Sequence, residues 1–432
     1  VPNRRAADDN GNPVQHKSLE LVGGEGASGR DELSYPARIR RPCPSAHPVI
    51  EVLEEAMADR ERPLGIYIHV PFCAARCGYC DFNTYVARSP GVQEEFVAAA
   101  LLELRMARAE VGDRAAATVF MGGGTPTLLG EQALLRLLEG VSDTFGLADG
   151  AEVTSEANPE SVDPAMLAAL RRGGFTRISL GMQSATAHVL RTLDRLHTPG
   201  RAVAAATEAR EAGFPHVSLD LIYGTPGETD AEWERTLDAA LSAGTDHISA
   251  YALTVEPGTA LAAAVGRGAL PAPDDDAQAR RFRLADERLG AAGLDWYELS
   301  SWAATDAAQC RHNIGYWRSH DWWGIGPGAH SHLGGVRWWN VLRPGEYAQR
   351  LREGESPAAG RETLGERELA LEAVMLGLRE RRGIALASLS DAGTRAAREQ
   401  VELGRLEIAG GRAALTREGR LFADAVIRAL TG

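Results

Sequence analysis

"IHVPFCAARCGYCDFNTY", Ile68 to Tyr85, places three of the chain's five cysteines, Cys73, Cys77 and Cys80, within eight positions. Just before them, "IYIHV" (66–70) is short, apolar and partly β-branched, the pattern of a buried strand. The thiols therefore follow a strand end. C-x3-C-x2-C cannot complete a four-sulfur zinc site locally, because structural zinc takes four closed ligands, usually from C-x2-C pairs. An iron–sulfur cluster can be held by three thiolates, which leaves one iron for a ligand from outside the protein. So few cysteines, clustered in this way, read as metal-binding rather than as a disulfide framework. Cys43, alone in "RRPCPSAHP", reads as an unpaired surface thiol.

Further along, the pattern of "IYIHV" recurs in "ATVFMGG" (117–123), "EVTSEA" (152–157), "RISLGMQ" (177–183), "VSLDLIYG" (217–224) and "HISAYAL" (247–253). Good helix formers such as "QEEFVAAALLELRMARAE" and "EQALLRLLEGVSDTF" lie between these runs. "DPAMLAALRRGG" has Asp163 at an N-cap position, Pro164 at the first helical position and Gly173 past the end. Six strand–helix units predict an α/β fold with a parallel sheet, either a flat doubly wound sheet or a partial (β/α)6 TIM-type barrel. Gly122 to Thr125, Glu156, Gln183, Asp220 and Tyr251 fall at or just after strand ends, where barrel enzymes gather their active-site groups.

The chain divides on this reading into a poorly ordered extension (1–60, with one short helix in "HPVIEVLEEAMADR"), a barrel (61–260), a linker and aromatic Gly-rich segment (261–360) and a small winged-helix-like domain (361–432). "GLDWYELSSWA" predicts one more strand and its exit. The segment "CRHNIGYWRSHDWWGIGPGAHSHLGGVRWWN" holds five of the eight tryptophans, and "LEIAGGRAALT" predicts a hairpin turning on Gly-Gly. The net charge of −13 argues against a broad nucleic-acid surface, and residues 361–432, with 12 Arg against 11 Asp/Glu, are too neutral for DNA. No apolar run nears the ~20 residues of a membrane span, and the polar residues 1–40 carry no secretory signal. The expectation is a cytoplasmic protein with no integral membrane segment.

With these residues in view, the chain resembles the radical S-adenosylmethionine superfamily, and within it the oxygen-independent coproporphyrinogen III oxidase-like family. The resemblance covers roughly residues 64–430. It implies a [4Fe–4S] cluster on Cys73, Cys77 and Cys80, with S-adenosylmethionine on the fourth iron. "GGGTPT" resembles the family's glycine-rich turn, so Gly123, Gly124 and Thr125 are expected to face the methionyl end, as a backbone without Cβ permits. Tyr67, Glu156, Gln183, Arg195, Asp220 and Ala252 match the positions that line the family's cofactor site. Arg195 and Glu156 are expected on the carboxylate and amine, Gln183 and Asp220 on the ribose or adenine.

The oxidase itself carries a further cysteine two places after the third, where this chain has Phe82, the pattern of the family's heme-chaperone branch. "HNIGYW" (His312–Trp317) resembles that branch's HNxxYW motif, which makes His312 a candidate axial ligand for heme. Cys310, His330 and His332 are rival ligands. Three readings follow: a heme chaperone serving acceptor hemoproteins, some of them at a membrane; a coproporphyrinogen III oxidase; or a DNA-binding winged helix with a structural cluster. Phe82 and "HNIGYW" favour the first. Whether the chain works as a homodimer stays open at this point.

Overall fold

A computed structural model describes residues 62–86, 90–195 and 197–432. Cys43, the 1–60 extension and its short helix lie outside the described residues.

The centre is a run of parallel strands: β1 (Leu64–Val70), β4 (Ala116–Gly123), β5 (Leu147–Ala157), β6 (Arg177–Gln183), β7 (His216–Tyr223) and β8 (His247–Ala252). A two-stranded pair, β2 (Phe72–Cys73) and β3 (Tyr85–Val86), flanks the thiol loop. The six long strands lie side by side in chain order, with every neighbour parallel. A doubly wound sheet reverses direction partway. Here the order never reverses, so the architecture is the partial TIM-type barrel rather than the flat sheet. Every residue of β1 is buried, as expected for a strand covered on both faces.

Local signals in the sequence are met. Asp163 Oδ1 accepts from Met166 N at 2.8 Å, which caps helix Pro164–Arg172. Helix Asp230–Ser242 starts in a Thr229/Glu232 capping box. The Gly-Gly turn joins β16 (Leu406–Ala409) to β17 (Arg412–Leu415), and β17 also pairs with β15 (Ile384–Ala385).

The stretch 261–360 differs from its expected role as linker and aromatic segment. "GLDWYELSSWA" makes two strands, β9 (Asp295–Glu298) and β10 (Ser301–Ala303), and β10 runs antiparallel to β8. At the other edge β11 (Asp321–Ile325) pairs in parallel with β1. β12 (His330–Leu333), β13 (Val336–Asn340) and β14 (Ala358–Thr363) extend it as an antiparallel meander. One twelve-stranded sheet results. The buried carboxylate of Glu103 fastens this extension to helix Pro90–Val111. It accepts from Gly326 N (2.8 Å), Asn340 Nδ2 (2.7 Å) and Tyr347 OH (2.5 Å). The expected boundary at 361 also shifts, because β14 still belongs to the large sheet, and the separate C-terminal core begins around Val374.

Candidate functional site

The thiol loop is fixed from both sides. Gly78 N donates to Leu193 O (3.3 Å), and Gly78 O accepts from Leu261 N (2.8 Å). On the other side Asn83 Nδ2 donates to Pro327 O (3.0 Å) and Leu342 O (2.9 Å). Burial lowers the pKa of His69 to about 4, so its imidazole is neutral. Its Nε2–H donates to Asn83 O at 2.9 Å, which leaves Nδ1 to accept from Tyr67 OH at 3.1 Å. Tyr67 is thus a strut between the strand and the loop. His69 and Asn83 were not among the sequence candidates. The only trace of His69 is that, with Tyr67, it occupies one face of β1 in alternation with Ile68 and Val70.

Cys73, Cys77 and Cys80 are all free and partly exposed, and the neighbouring thiols add to the raised pKa of Cys73 and Cys80. Burial is the main cause for Cys73 and Cys80, and it pushes Cys80 up to about 12. Among the described residues no three His, Cys, Asp or Glu side chains converge as ligands of a single ion. A cubane cluster asks for a different spacing, since each thiolate binds its own iron at a separate corner.

Arg195 joins this loop to the barrel. One terminal nitrogen lies 3.6 Å from Cys77 Sγ, and the other donates to Gly181 O at 2.7 Å. Its Nε is buried without a partner among the described residues. Gln183, the last residue of β6, has φ +62, a left-handed backbone that costs a non-glycine residue about 1–3 kcal/mol and marks functional sites. A Cβ on Gly181 would collide with both Gln183 and Arg195, so these side chains converge over a bare stretch of backbone.

The glycine turn is equally tight. A Cβ on Gly123 (φ +102) would overlap the His69 ring, and one on Gly124 would overlap the Phe72 backbone. Thr125 N donates to Phe72 O at 2.7 Å, and Gly123 N to Glu156 Oε2 at 3.0 Å. Burial, together with the charge of Asp220, raises Glu156 to about 8. Burial also raises Asp220, to about 6, against hydrogen bonds from Ser179 (2.7 Å) and Ser249. Asp220 is not at its strand end. It lies three residues before the end of β7, beside Gly181, so it forms the floor of the site. Ala252 closes the far side as the last residue of β8.

"HNIGYW" is not at this rim. Helix Arg311–Trp317 covers the opposite, N-terminal end of the strands. The His312 ring lies against Gly65 and is stacked on Phe120 (5.1 Å, 24°). Both of its nitrogens are engaged, Nδ1 with Thr118 Oγ1 (2.7 Å) and Nε2 with Tyr316 OH (2.7 Å). To bind iron, His312 would have to give up one of these two hydrogen bonds. His332 is similarly engaged, by His320 O (3.0 Å) and Gly335 N (3.1 Å). His330 stacks on Trp339. Burial raises the pKa of Cys310, whose Sγ meets Glu152 Oε1 at 3.8 Å. Glu152, overlooked in the sequence, also accepts from Arg311 N (3.0 Å), His312 N (3.0 Å) and Arg177 Nε (3.4 Å), and so caps the helix. At the helix end Trp317 donates to Glu298 (3.1 Å) and packs on the C-terminal core. The motif is a seam between barrel and tail.

Comparison with known proteins agrees with this architecture. Residues 67–240 match the radical SAM superfamily. The solved structure of coproporphyrinogen III oxidase (HemN) from Escherichia coli superposes with a TM-score of 0.76 at 22% identity, covering 88% of this chain and 92% of that one. At that identity the likeness concerns the fold. The heme chaperone HemW of Mycobacterium tuberculosis H37Rv is 53% identical over 373 residues, 86% of this chain and 95% of the relative. That of Bacillus subtilis is 31% identical over 85% of this chain and 98% of the relative. The chain belongs to the HemW heme-chaperone family of the radical SAM superfamily.

Proposed function

We propose that this protein is a heme chaperone, which binds heme and passes it to acceptor hemoproteins, and that it carries a [4Fe–4S] cluster with S-adenosylmethionine at the C-terminal rim of its barrel. The observation that carries the reading is the near full-length likeness to curated heme chaperones, with Phe82 standing where the related oxidase has a cysteine.

The rim suits the cluster and its cofactor. Three free thiols share one loop, a buried guanidinium nitrogen lacks a partner, and a glycine turn leaves backbone uncovered. Cys73, Cys77 and Cys80 would hold the cluster, which supplies electrons for reductive cleavage of the cofactor when both are bound. Arg195 would hold the cofactor's carboxylate by a charge-assisted bond. Glu156 would accept from its amine, Gly123 and Gly124 would let it approach, and Gln183 and Asp220 would meet the ribose or adenine. Tyr67, Thr125 and Ala252 shape the walls.

No helix among the described residues is long and apolar enough to cross a membrane. We place the protein in the cytoplasm, working as monomer or homodimer, and reaching membrane hemoproteins only by peripheral contact. The test is anaerobic reconstitution followed by heme loading, heme transfer to an apo-hemoprotein, and a coproporphyrinogen III assay on the same sample. Heme transfer without porphyrinogen decarboxylation supports the chaperone. Decarboxylation at ordinary enzymatic rates would establish the oxidase instead.

A further inference from the structure

Leu193, Asp194 and Arg195 form the turn that ends helix Ala187–Thr192, and all three act on the thiol loop. Arg195 N donates to Leu190 O (2.9 Å) and Asp194 N to Arg191 O (3.1 Å). These two bonds are the Schellman pair that closes a helix, with Asp194 (φ +52) in the left-handed position where glycine is usual. The turn fixes the backbone of Arg195 and so aims its side chain. Leu193 O, in the same turn, receives the bond from Gly78 N. The Asp194 carboxylate covers Gly78 so closely that a Cβ there would collide with it. Arg195 and the loop that carries Cys77 are thereby held in one frame by the chain itself.

The thiols do not share their donors equally. Nη1 of Arg195 lies 3.6 Å from Cys77 Sγ, while Nη2 is anchored on Gly181 O at 2.7 Å. Cys73 Sγ meets neutral hydroxyls instead, with Thr125 Oγ1 at 4.0 Å. Arg76, a second cation of the loop, is exposed and donates to Cys80 O (3.4 Å), a carbonyl rather than a sulfur. Among these contacts Arg195 alone brings a full charge to a sulfur, and it does so at Cys77.

We propose that Arg195 tunes the cluster as well as binding the cofactor: its Nη1 donates to the Cys77 thiolate and raises the cluster's reduction potential, while Nε remains for the cofactor carboxylate. The inference rests on the cluster and cofactor reading of the rim and gives this residue a second task. On reduction the cluster takes one electron from a low-potential reductant, and its negative charge grows by one. A cation hydrogen-bonded to a ligating sulfur offsets that charge, and such hydrogen bonds are among the levers that set a cluster's potential. The guanidinium stays protonated throughout, so no proton moves. Its five donors point in fixed directions. With Nη2 on Gly181 O and Nη1 on Cys77, the donor left over is Nε–H, the buried one without a partner among the described residues. One side chain can therefore serve the sulfur and the carboxylate together.

The experiment is a reductive potentiometric titration, followed by electron paramagnetic resonance, of the full chain with its cluster reconstituted and no S-adenosylmethionine added. A residue that served only the cofactor would not move this potential. The variants are Arg195→Met and Arg195→Gln, both neutral, with Arg195→Lys and Glu156→Gln. Iron and sulfide counting and thermal melting check cluster content and fold. Both neutral variants are expected to be about tenfold harder to reduce, a potential lower by about 59 mV for one electron. Arg195→Lys, which keeps the charge and loses the fork, should fall between them and wild type. Glu156→Gln, which removes a carboxyl and no sulfur contact, should not lower the potential. A wild-type potential in both neutral variants, with weakened cofactor binding, would confine Arg195 to the carboxylate and overturn the proposal, while the reading of the rim stands. An equal drop in Glu156→Gln would overturn it too, since the shift would then report a disturbed pocket. If the neutral variants assemble no cluster, Arg195→Lys decides: a potential below wild type supports the sulfur contact, and an unchanged one contradicts it. If wild type itself takes up no cluster, the reading of the rim falls and the proposal with it.

Discussion

Glu152 and Glu156 lie on the same face of β5, about 13 Å apart at strand rise. Glu152, toward the N-terminal end, accepts from Arg177, Cys310 and the backbone of Arg311 and His312. Glu156, at the rim, accepts among the described residues from Gly123 alone, faces another carboxylate and is raised to about 8. One glutamate is used up in holding a helix. The other is kept short of partners beside an incompletely bonded arginine and a strained glutamine. Buried polar groups in folded proteins are normally satisfied, so the exceptions point to where a ligand is wanted. By this criterion the rim is a site, and the inner face of "HNIGYW" is framework.

The largest effect expected is at the thiols. Replacing Cys73, Cys77 or Cys80 singly with Ala should remove most of the ~400 nm cluster absorbance after anaerobic reconstitution, because two thiolates hold a cluster poorly. Full iron and sulfide content in all three variants would break the comparison at its rim. Next comes Glu152→Ala, which strips Arg177 of its buried partner and uncaps the helix. A loss of about 3–5 kcal/mol is expected in denaturant unfolding, against well under half of that for Glu156→Ala. Equal losses would mean that the two glutamates do the same job.

Glu156→Gln sharpens the contrast in two ways. Affinity for S-adenosylmethionine should fall by about 1 kcal/mol or more, measured by calorimetry on the reconstituted protein. The pH dependence of stability should also flatten. A carboxyl group whose folded pKa lies above its unfolded value contributes fully below the ordinary carboxylate range, and that contribution is lost as pH rises through the folded value. Glu156 at about 8 and Asp220 at about 6 act in the same direction. The ligand-free protein should therefore lose melting temperature from about pH 5 to about pH 8, and Glu156→Gln should lose less. A steeper fall in the variant would contradict the assignment. The smallest effect expected is for Gln183→Gly, which relieves the left-handed backbone. It should stabilise the ligand-free protein by about 1 kcal/mol while weakening cofactor binding.

Much of this contrast was legible in the sequence on one side only. The six parallel strands could be read because each is a short buried run between long helical patterns, and cysteine spacing located the rim. The N-terminal end was hidden for a physical reason. β11 pairs with β1 across some 250 residues, and "DWWGI" carries no alternation because both of its faces are buried. Glu152 reads as an ordinary polar residue of a strand until the helix it caps is folded onto it. His312 looked like a ligand because histidine beside aromatics suits heme. Only packing reveals that its two nitrogens already belong to Thr118 and Tyr316.

The most direct test is to count heme on a chain without a cluster. In Cys73→Ala/Cys77→Ala/Cys80→Ala, hemin titration should still reach one heme per chain, with the Kd and ligand spectrum of wild type, if the thiols hold the cluster and not the heme. Loss of heme together with the cluster, in a variant that melts like wild type, would contradict that division of roles.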